Sequence, residues 1–189
     1  MSNPKVLAFA GSIRRDSYNK QLVNVAKNSV EKLGAEVTFV DLHDFQMPLY
    51  CDDLYKKDGM PENAIAFKIL MKSHNGFLIA SPEYNGSLTG ILKNTIDWAT
   101  IRHDNEERNA CFNEKIAGIM CAAPGIGGSR GMHHLRMVLS SLGTFVLPKH
   151  LCVTNCHAHL QDNTALEDDT QQRIDSMASE LVRIISRLH

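Results

Sequence analysis

Short, wholly apolar runs alternate with longer helical patterns along the chain, and this alternation restricts the folds it can adopt. The run VLAFA (6–10) has no polar position and ends at a glycine, which is typical of a strand buried on both faces. Residues 17–33 then place Leu22, Ala26 and Val30 at helical spacing. Because five such pairs fit into the sequence, we predict a parallel sheet with helices on both faces, the doubly wound α/β class.

The other predicted elements continue this alternation. The strands are 36–41, 76–82, 115–123 and 144–153, the last interrupted by Pro148. The helices are about 62–74, about 88–100, one that follows a Gly-rich turn (124–131) and ends near Leu142, and about 168–188. This pattern alone does not separate a flavodoxin-like strand order from a Rossmann-like one. In either order ligands bind beyond the carboxyl ends of the strands, so the loops after strands 1, 3 and 4 should carry the chemistry.

Length and charge limit the partners of this chain. At roughly 100–200 residues per domain, 189 residues predict a single domain, 1–189. Twenty Lys and Arg balance 21 Asp and Glu, which argues against a nucleic-acid or anionic-membrane partner. The five cysteines are odd in number and form no Cys-x-x-Cys pair, and no apolar run approaches the ~20 residues of a membrane span. We therefore expect a cytoplasmic protein with no membrane partner.

The loop after strand 1, GSIRRDSYNK (11–20), combines a glycine, hydroxyls, cations and the free N–H groups of a helix start. Physically this is an anion cradle. Its spacing fits neither a Walker loop nor Gly-x-Gly-x-x-Gly, so a dinucleotide-binding Rossmann domain loses its main support. A solvated helix start with Ser17 as N-cap fits the spacing equally well. Asp41, at the end of strand 2, is interpreted as a solvated carboxylate rather than a ribose ligand.

The loops after strands 3 and 4 each allow two interpretations. Residues 81–88 (SPEYNGSL) suit the edge of a flat polar heterocycle, with an aromatic ring and backbone groups, but they equally describe an ordinary Asn-Gly turn. Residues 123–131 (APGIGGSRG) let the backbone approach a ligand closely, as any flexible glycine turn also does. Neither loop alone identifies a function.

Taken together, GSIRRDSYNKQLV, SPEYNGSLTGILKNTIDW and GIGGSRGMHHLRMVL resemble the NADPH-dependent FMN reductases, a flavodoxin-like family that includes bacterial quinone, azo-dye and chromate reductases. Gly-Ser-x-Arg-x-x-Ser-x-Asn and Pro-Glu-Tyr-Asn follow strands 1 and 3, as that family requires. The resemblance implies a five-stranded parallel sheet of order 2-1-3-4-5 with bound FMN. It also implies a homodimer or homotetramer.

The resemblance further implies an NAD(P)H oxidoreductase with ping-pong kinetics, in which hydride passes from NADPH or NADH through FMN to a flavin, a quinone or a similar small acceptor. Because the cofactor performs the chemistry, no catalytic acid, base or nucleophile is predicted. The alternative is a non-enzymatic, flavodoxin-like electron carrier, although such carriers tend to be strongly acidic and this chain has a net charge of −1.

The family pattern assigns the cofactor to residues of all three loops. The FMN phosphate falls to Ser12, Arg14, Ser17 and Asn19. The isoalloxazine ring falls to Pro82, Glu83, Tyr84, Asn85 and Gly86, mainly through backbone groups, with Gly125 and Gly128 flanking it. Many members carry Ser where this chain has Ala123, so a hydroxyl contact to the flavin is not expected there.

A metal site is not predicted. Cys152, Cys156, His157 and His159 are ligand-type residues, but structural zinc sites usually bring a second ligand pair from further away in the chain.

Overall fold

The apolar runs form one sheet, in which every neighbouring pair of strands is parallel. The computed structural model describes residues 3–160 and 168–189. Its strands are β1 (Lys5–Ala10), β2 (Glu36–Val40), β3 (Gly76–Ala80), β4 (Ile116–Ala122), β5 (Phe145–Val146) and β6 (Leu151–Val153). The order is β2-β1-β3-β4-β5, with β6 also beside β4. The flavodoxin-like order is therefore confirmed, and its crevice opens at the carboxyl ends of β1 and β3.

Helices cover both faces of this sheet, as the alternation predicts. They are α1 (Tyr18–Glu31), α2 (Asp52–Asp58), α3 (Glu62–Ser73), α4 (Gly90–Thr100), α5 (Ser129–Ser141), α6 (Cys156–His159) and α7 (Asp168–Leu188). Val6 and Ala8 of β1 pack into a core with α1 and α7. Leu7 and Phe9 point the other way, into a core with α3, α4 and α5. Both faces of β1 are therefore covered by apolar side chains, which explains why the strand reads as a continuous apolar run.

The single tryptophan lies on α4, on the side of the sheet that also carries α3 and α5. Trp98 of α4 is fully buried, and its indole N–H donates to the carbonyl of Pro48 at 2.7 Å. Asn94, one turn earlier, accepts from the backbone N–H of Tyr50 and donates to the same carbonyl of Pro48. These bonds fix the long connection after β2 against α4.

The predicted strand 144–153 is in fact two short strands. Between Val146 and Leu151 the chain is two residues longer than the facing part of β4, so it bulges away from the ladder. Pro148, in the middle, has no N–H to donate to the sheet. The guanidinium of Arg136 donates instead to the carbonyls of Val146 and Pro148.

Two short helices were missed from the sequence, α2 and α6. Helix α2 buries none of its residues, so it has no apolar periodicity to detect. Its signal is electrostatic, because Asp52 and Asp53 occupy its first turn and Lys56 and Lys57 its last, matching the helix dipole.

Among the helices that the structure describes, none is long and apolar enough to cross a membrane.

Candidate functional site

The loop between β1 and α1 presents unpaired backbone donors. In the part of the chain that the structure describes, the N–H groups of Ser12, Ile13, Arg15, Asp16 and Ser17 have no hydrogen-bond partner. The backbone N–H of Arg14, within the same loop, donates to the hydroxyl of Ser12 at 3.4 Å. Ser17 has extended backbone angles at the helix start, and its side chain does not cap the helix. The N-terminus of α1 is thus open to an anion.

Only part of the positive charge in this loop is available to a ligand. Arg14 is exposed, and its guanidinium carbon lies 5.5 Å from the centre of the Tyr18 ring. Lys20, in contrast, is buried and its ammonium lies 2.6 Å from a carboxylate oxygen of Asp41. Asp41 is therefore paired with a cation rather than solvated. The same ion pair directs Lys20 away from the anion cradle.

Asn19 lies beside this loop but is turned into the protein. Its side-chain amide donates to the carbonyl of Ala122 in β4 and accepts from the N–H of the same residue, both at 2.9 Å. The residue is only 3% exposed. The structure therefore gives the predicted phosphate ligand a bond partner 103 positions away in the sequence.

An open cleft of about 310 Å³ lies between the β1 loop and the start of α4. That volume is at the lower end of the roughly 300–1,000 Å³ of small-molecule sites. Its lining comprises Gly11, Ser12, Ile13, Arg14, Tyr84, Thr89, Gly90 and Ile91. Three residues expected at the cofactor, Ser12, Arg14 and Tyr84, are brought together here. Ser17, Asn19 and the remaining predicted residues do not line this cleft.

Thr89 holds the two walls of the cleft together and was missed from the sequence. Its hydroxyl donates to the carbonyl of Gly11 at 2.7 Å and accepts from the N–H of Leu92 at 3.2 Å, capping α4. A Cβ at Gly11 would lie 2.7 Å from the hydroxyl of Ser81, so the close packing of the β1 loop against Ser81 requires a glycine here. A Thr directly before a helical pattern is an N-cap signal, and it was the available clue.

The Asn-Gly turn after β3 exists, and it presents an aromatic ring. Asn85 and Gly86 have φ of 52° and 77°, as a type I′ turn requires. Tyr84 and Ser87 exchange backbone hydrogen bonds at 2.9 and 3.1 Å across it. The Tyr84 side chain projects from the turn and is 55% exposed. The two interpretations of this loop are therefore compatible, because the turn itself displays Tyr84 and the free N–H groups of its tip.

The start of α5 is docked onto this turn. The Glu83 carboxylate accepts from the N–H of Gly131 at 2.9 Å, and His134 contacts the Ser87 hydroxyl at 3.0 Å. A Cβ at Gly131 would lie 3.2 Å from the carbonyl of Ser87, which explains the glycine. The Glu83 side chain thus supports the helix, while the backbone around it remains on the loop surface; Pro82, just before it, is half-buried.

The two glycines predicted to flank the flavin differ. Gly128 is buried with φ of 111°, and a Cβ there would lie 2.7 Å from the sulfur of Cys121. Gly125 is exposed, and within the described structure a Cβ there would meet nothing within 4 Å. Packing therefore requires a glycine at Gly128 but not at Gly125. Ile126, between them, is 94% exposed at the tip of the loop.

The nearby cysteines have no features of a nucleophile or a metal site. Burial raises the pKa of the Cys121 thiol to about 12, so the sulfur stays protonated at neutral pH. Cys152 contacts the core on the α5 side of the sheet, whereas Cys156 lies in the core on the α1 side. Across residues 3–160 and 168–189, no three His, Cys, Asp or Glu side chains are grouped to hold a metal ion.

Comparison with known proteins matches residues 4–158 to the model of the family described as NADPH-dependent FMN reductase. A probable NADPH:quinone oxidoreductase 2 of Oryza sativa subsp. japonica is 40% identical over 136 residues, covering 71% of this chain and 63% of the rice protein. The NAD(P)H:quinone oxidoreductase of Solanum tuberosum is 32% identical over 192 residues, covering 97% and 94%. Among solved structures, the flavoenzyme NAD(P)H:(acceptor) oxidoreductase FerB of Paracoccus denitrificans has a TM-score of 0.79 and 26% identity, covering 97% and 98%.

Proposed function

The chain belongs to the NADPH-dependent FMN reductase family, and from that premise we propose that its three carboxyl-end loops hold FMN and serve electron transfer from NAD(P)H to a small acceptor of the quinone class. As the motifs predicted, it is an FMN-dependent oxidoreductase rather than a non-enzymatic electron carrier. The observation that carries the assignment of the loops is the set of unpaired N–H groups at Ser12, Ile13 and residues 15–17, beside the exposed guanidinium of Arg14. The acceptor class rests on the names of the relatives.

The residues present fit the phosphate of FMN. A dianion needs several donors and a counter-charge, and the loop offers free backbone N–H groups, the hydroxyls of Ser12 and Ser17, and the exposed guanidinium of Arg14. The side chain of Asn19 is turned away from these donors and bonds to Ala122. We therefore assign the phosphate to Ser12, Arg14 and Ser17.

The residues of the second and third loops fit a flat ring. Pro82 to Gly86 would hold its polar edge through backbone groups, and the free N–H groups of Asn85 and Gly86 at the turn tip support this. Tyr84 offers an aromatic surface beside the cleft. Packing within the protein gives no reason for a glycine at Gly125, and close approach of a ligand to the backbone would supply one.

When bound, FMN supplies the redox chemistry, taking electrons from NAD(P)H and passing them to the acceptor. The chain's role is to bind and orient FMN and to leave access for NAD(P)H and the acceptor. Tyr84 and Ile13 expose apolar surface in an open cleft, which suits planar rings that bind and leave in turn. A single open cleft that donor and acceptor would occupy in turn is compatible with ping-pong kinetics. No described residue of the loops is positioned as a nucleophile, and we assign no catalytic acid or base.

The test is reconstitution. Purified protein loaded with FMN should be yellow, release flavin on denaturation, and oxidise NADPH when a quinone is added. NADH assayed in parallel gives the nucleotide preference. Protein that binds no FMN would overturn the proposal, and protein that binds FMN without oxidising either nucleotide would instead behave as an electron carrier.

We also propose that the protein is a homodimer or homotetramer. Trp98 of α4 and Leu135 of α5 are fully buried within one chain, so they do not contribute to an interface. Apolar surface remains at Met137 of α5, 65% exposed, and Phe145, 61% exposed. Met137→Glu should shift sedimentation toward the monomer. Leu188→Glu, on the opposite face of the sheet, is the control and should not.

Residues 1–189 are proposed to act as one FMN-binding domain, because both apolar cores pack on the same sheet. We propose the reducing cytoplasm as its location, which suits the exposed free thiol of Cys51. Fractionation of the cells that produce it would test the location.

A further inference from the structure

The two bonds between Asn19 and Ala122 lie at the point where the sheet opens. Strand β3 pairs with β4 up to Ala80 opposite Met120, and the N–H of Ser81 makes the last bond of this ladder, to the carbonyl of Met120 at 2.9 Å. The next groups of β3 that face β4 are the carbonyl of Ser81 and the N–H of Glu83, and neither bonds to the backbone of β4 in the described structure. The next backbone groups of β4 facing β3 are those of Ala122, because the pattern repeats every second residue.

The side-chain amide of Asn19 completes the ladder that β3 leaves unfinished. It offers Ala122 one N–H and one carbonyl, both at 2.9 Å, the two groups that a neighbouring parallel strand would offer from two of its residues. Without it, the N–H and carbonyl of Ala122 would be buried and unpaired, which destabilises this end of β4. The first turn of α1 is thereby fixed to the end of β4.

These bonds join two loops of the proposed cofactor site. Asn19 follows Ser17 by two residues at the start of α1, and Ala122 directly precedes the loop that contains Gly125 and Gly128. One side chain thus sets the separation between the loop assigned to the phosphate and a loop assigned to the ring. Thr89 and Glu83 make similar bridges elsewhere, but neither spans these two loops.

We infer that Asn19 is a positioning residue, which holds the phosphate loop and the β4 loop at the spacing that one flavin needs, and that its main role is not to bind the phosphate. This inference rests on the proposed function. It predicts that loss of Asn19 weakens the binding of the whole flavin, whereas loss of a phosphate ligand weakens only the binding of its phosphate.

FMN and riboflavin separate these roles, because they differ only in the phosphate. Asn19→Ala should weaken binding of both to the apoprotein by about tenfold, a factor that corresponds to one buried hydrogen bond to a neutral group. The ratio of the two dissociation constants should therefore stay close to that of the wild type. Ser17→Ala and Arg14→Ala are the matched comparisons and should change the FMN constant alone.

A ratio that changes in Asn19→Ala as it does in Ser17→Ala would overturn the inference and leave the proposed function intact. Wild-type protein that binds neither flavin would overturn both. Hydrogen exchange at the Ala122 N–H should accelerate in Asn19→Ala while exchange at Leu78 in the centre of β3 is unchanged. Unchanged exchange at Ala122 would also contradict the inference.

A second measurement needs no variant. In NMR titrations of the wild-type apoprotein with inorganic phosphate, the backbone amides from Ser12 to Ser17 should shift. The side-chain amide of Asn19 should shift far less, because its bonds to Ala122 already exist. A shift of the Asn19 side chain as large as those of the loop amides would identify it as a direct phosphate ligand and overturn the inference.

Discussion

The two ends of the sheet are both tied together by side chains, yet they differ in which groups stay unpaired. At the amino end the ammonium of Lys68, 3% exposed, contacts Glu106 at 2.9 Å and donates to the carbonyls of Ala99 and Ile101 at 3.1 and 2.6 Å. Lys72 also pairs with Glu106. The buried ammonium of Lys68 is thus paired within the protein, and it also closes the C-terminus of α4.

At the carboxyl end the bridges join side chains to backbone atoms. Asn19 bonds to Ala122, Thr89 to Gly11, and Glu83 to the N–H of Gly131. Meanwhile Arg14 stays exposed and the amides near it stay free. The comparison indicates that one end contributes mainly to stability, while the other is held rigid by contacts that leave its donors and its cation available to a ligand.

The largest effect on stability is expected for Glu106→Gln, which tests the division of roles between the two ends of the sheet. Removing the carboxylate leaves the buried ammonium of Lys68 without its counter-charge, which typically costs about 3–5 kcal/mol for a buried pair. Urea unfolding should show this loss in the free energy of unfolding, and the FMN dissociation constant should stay within about twofold of wild type. Glu107→Gln, an exposed neighbour, is the control. Weaker FMN binding at unchanged stability would contradict the division between the two ends.

Acid should produce a smaller version of the same effect. Burial works to raise the pKa of Glu106, but hydrogen bonds from Lys72, Lys68 and the N–H of His103 outweigh it and hold this pKa at about 2. A folded-state pKa below the ordinary value of 4.5 means that the stabilisation is present above pH 4.5 and is lost as the pH falls toward 2. In unfolding curves at pH 6 and at about pH 3, the stability difference between wild type and Glu106→Gln should shrink at the lower pH. A constant difference would refute this.

At the other end, Arg14→Ala should change binding without changing stability. A hydrogen bond to a charged group contributes about 1.5–3 kcal/mol, so FMN affinity should fall at least about tenfold, while the unfolding midpoint stays the same. Arg15→Ala is the matched control, since it is also exposed in the same loop. Equal losses in the two variants would show that only the net charge of the loop matters.

The smallest effect concerns the ion pair between Lys20 and Asp41 at the carboxyl end. Asp41→Asn removes the counter-charge of Lys20, and because the Asp41 side chain is partly exposed the cost in stability should be below about 1 kcal/mol. The freed ammonium should raise FMN affinity slightly, by less than about threefold at low salt. Titrations with and without added salt measure it. A decrease in affinity would show that the ion pair shapes the cradle rather than neutralising it.

Sequence patterns predicted the elements whose burial is uniform. The strands that contain Leu7 and Phe77 read as apolar runs because both of their faces are covered, and the loops at their ends carried the family motifs. Helix α2 and the break at Pro148 were not predicted, since a helix with no buried residue and a bulge leave no apolar periodicity. The strand order was not decided by periodicity and came from the family resemblance.

Site residues were harder to assign than elements. Asn19 matches the motif of a phosphate loop, but its bond partner lies 103 positions away and depends on where β3 ends. Lys20 likewise counts as a loop cation until Asp41 is seen beside it. Local sequence shows which donors a loop contains, while the folded sheet determines which of them remain free.

The interrupted strand pair β5 and β6 has a consequence for how copies of the chain can associate. Strands of two and three residues with a bulge and Pro148 between them leave this edge of the sheet without a continuous row of backbone groups. Short strands, bulges and prolines at an edge are the features that prevent another chain from adding a strand there, and with it open-ended aggregation. Assembly at this side is therefore expected to use side-chain surfaces, such as those of Met137 and Phe145, rather than added strands.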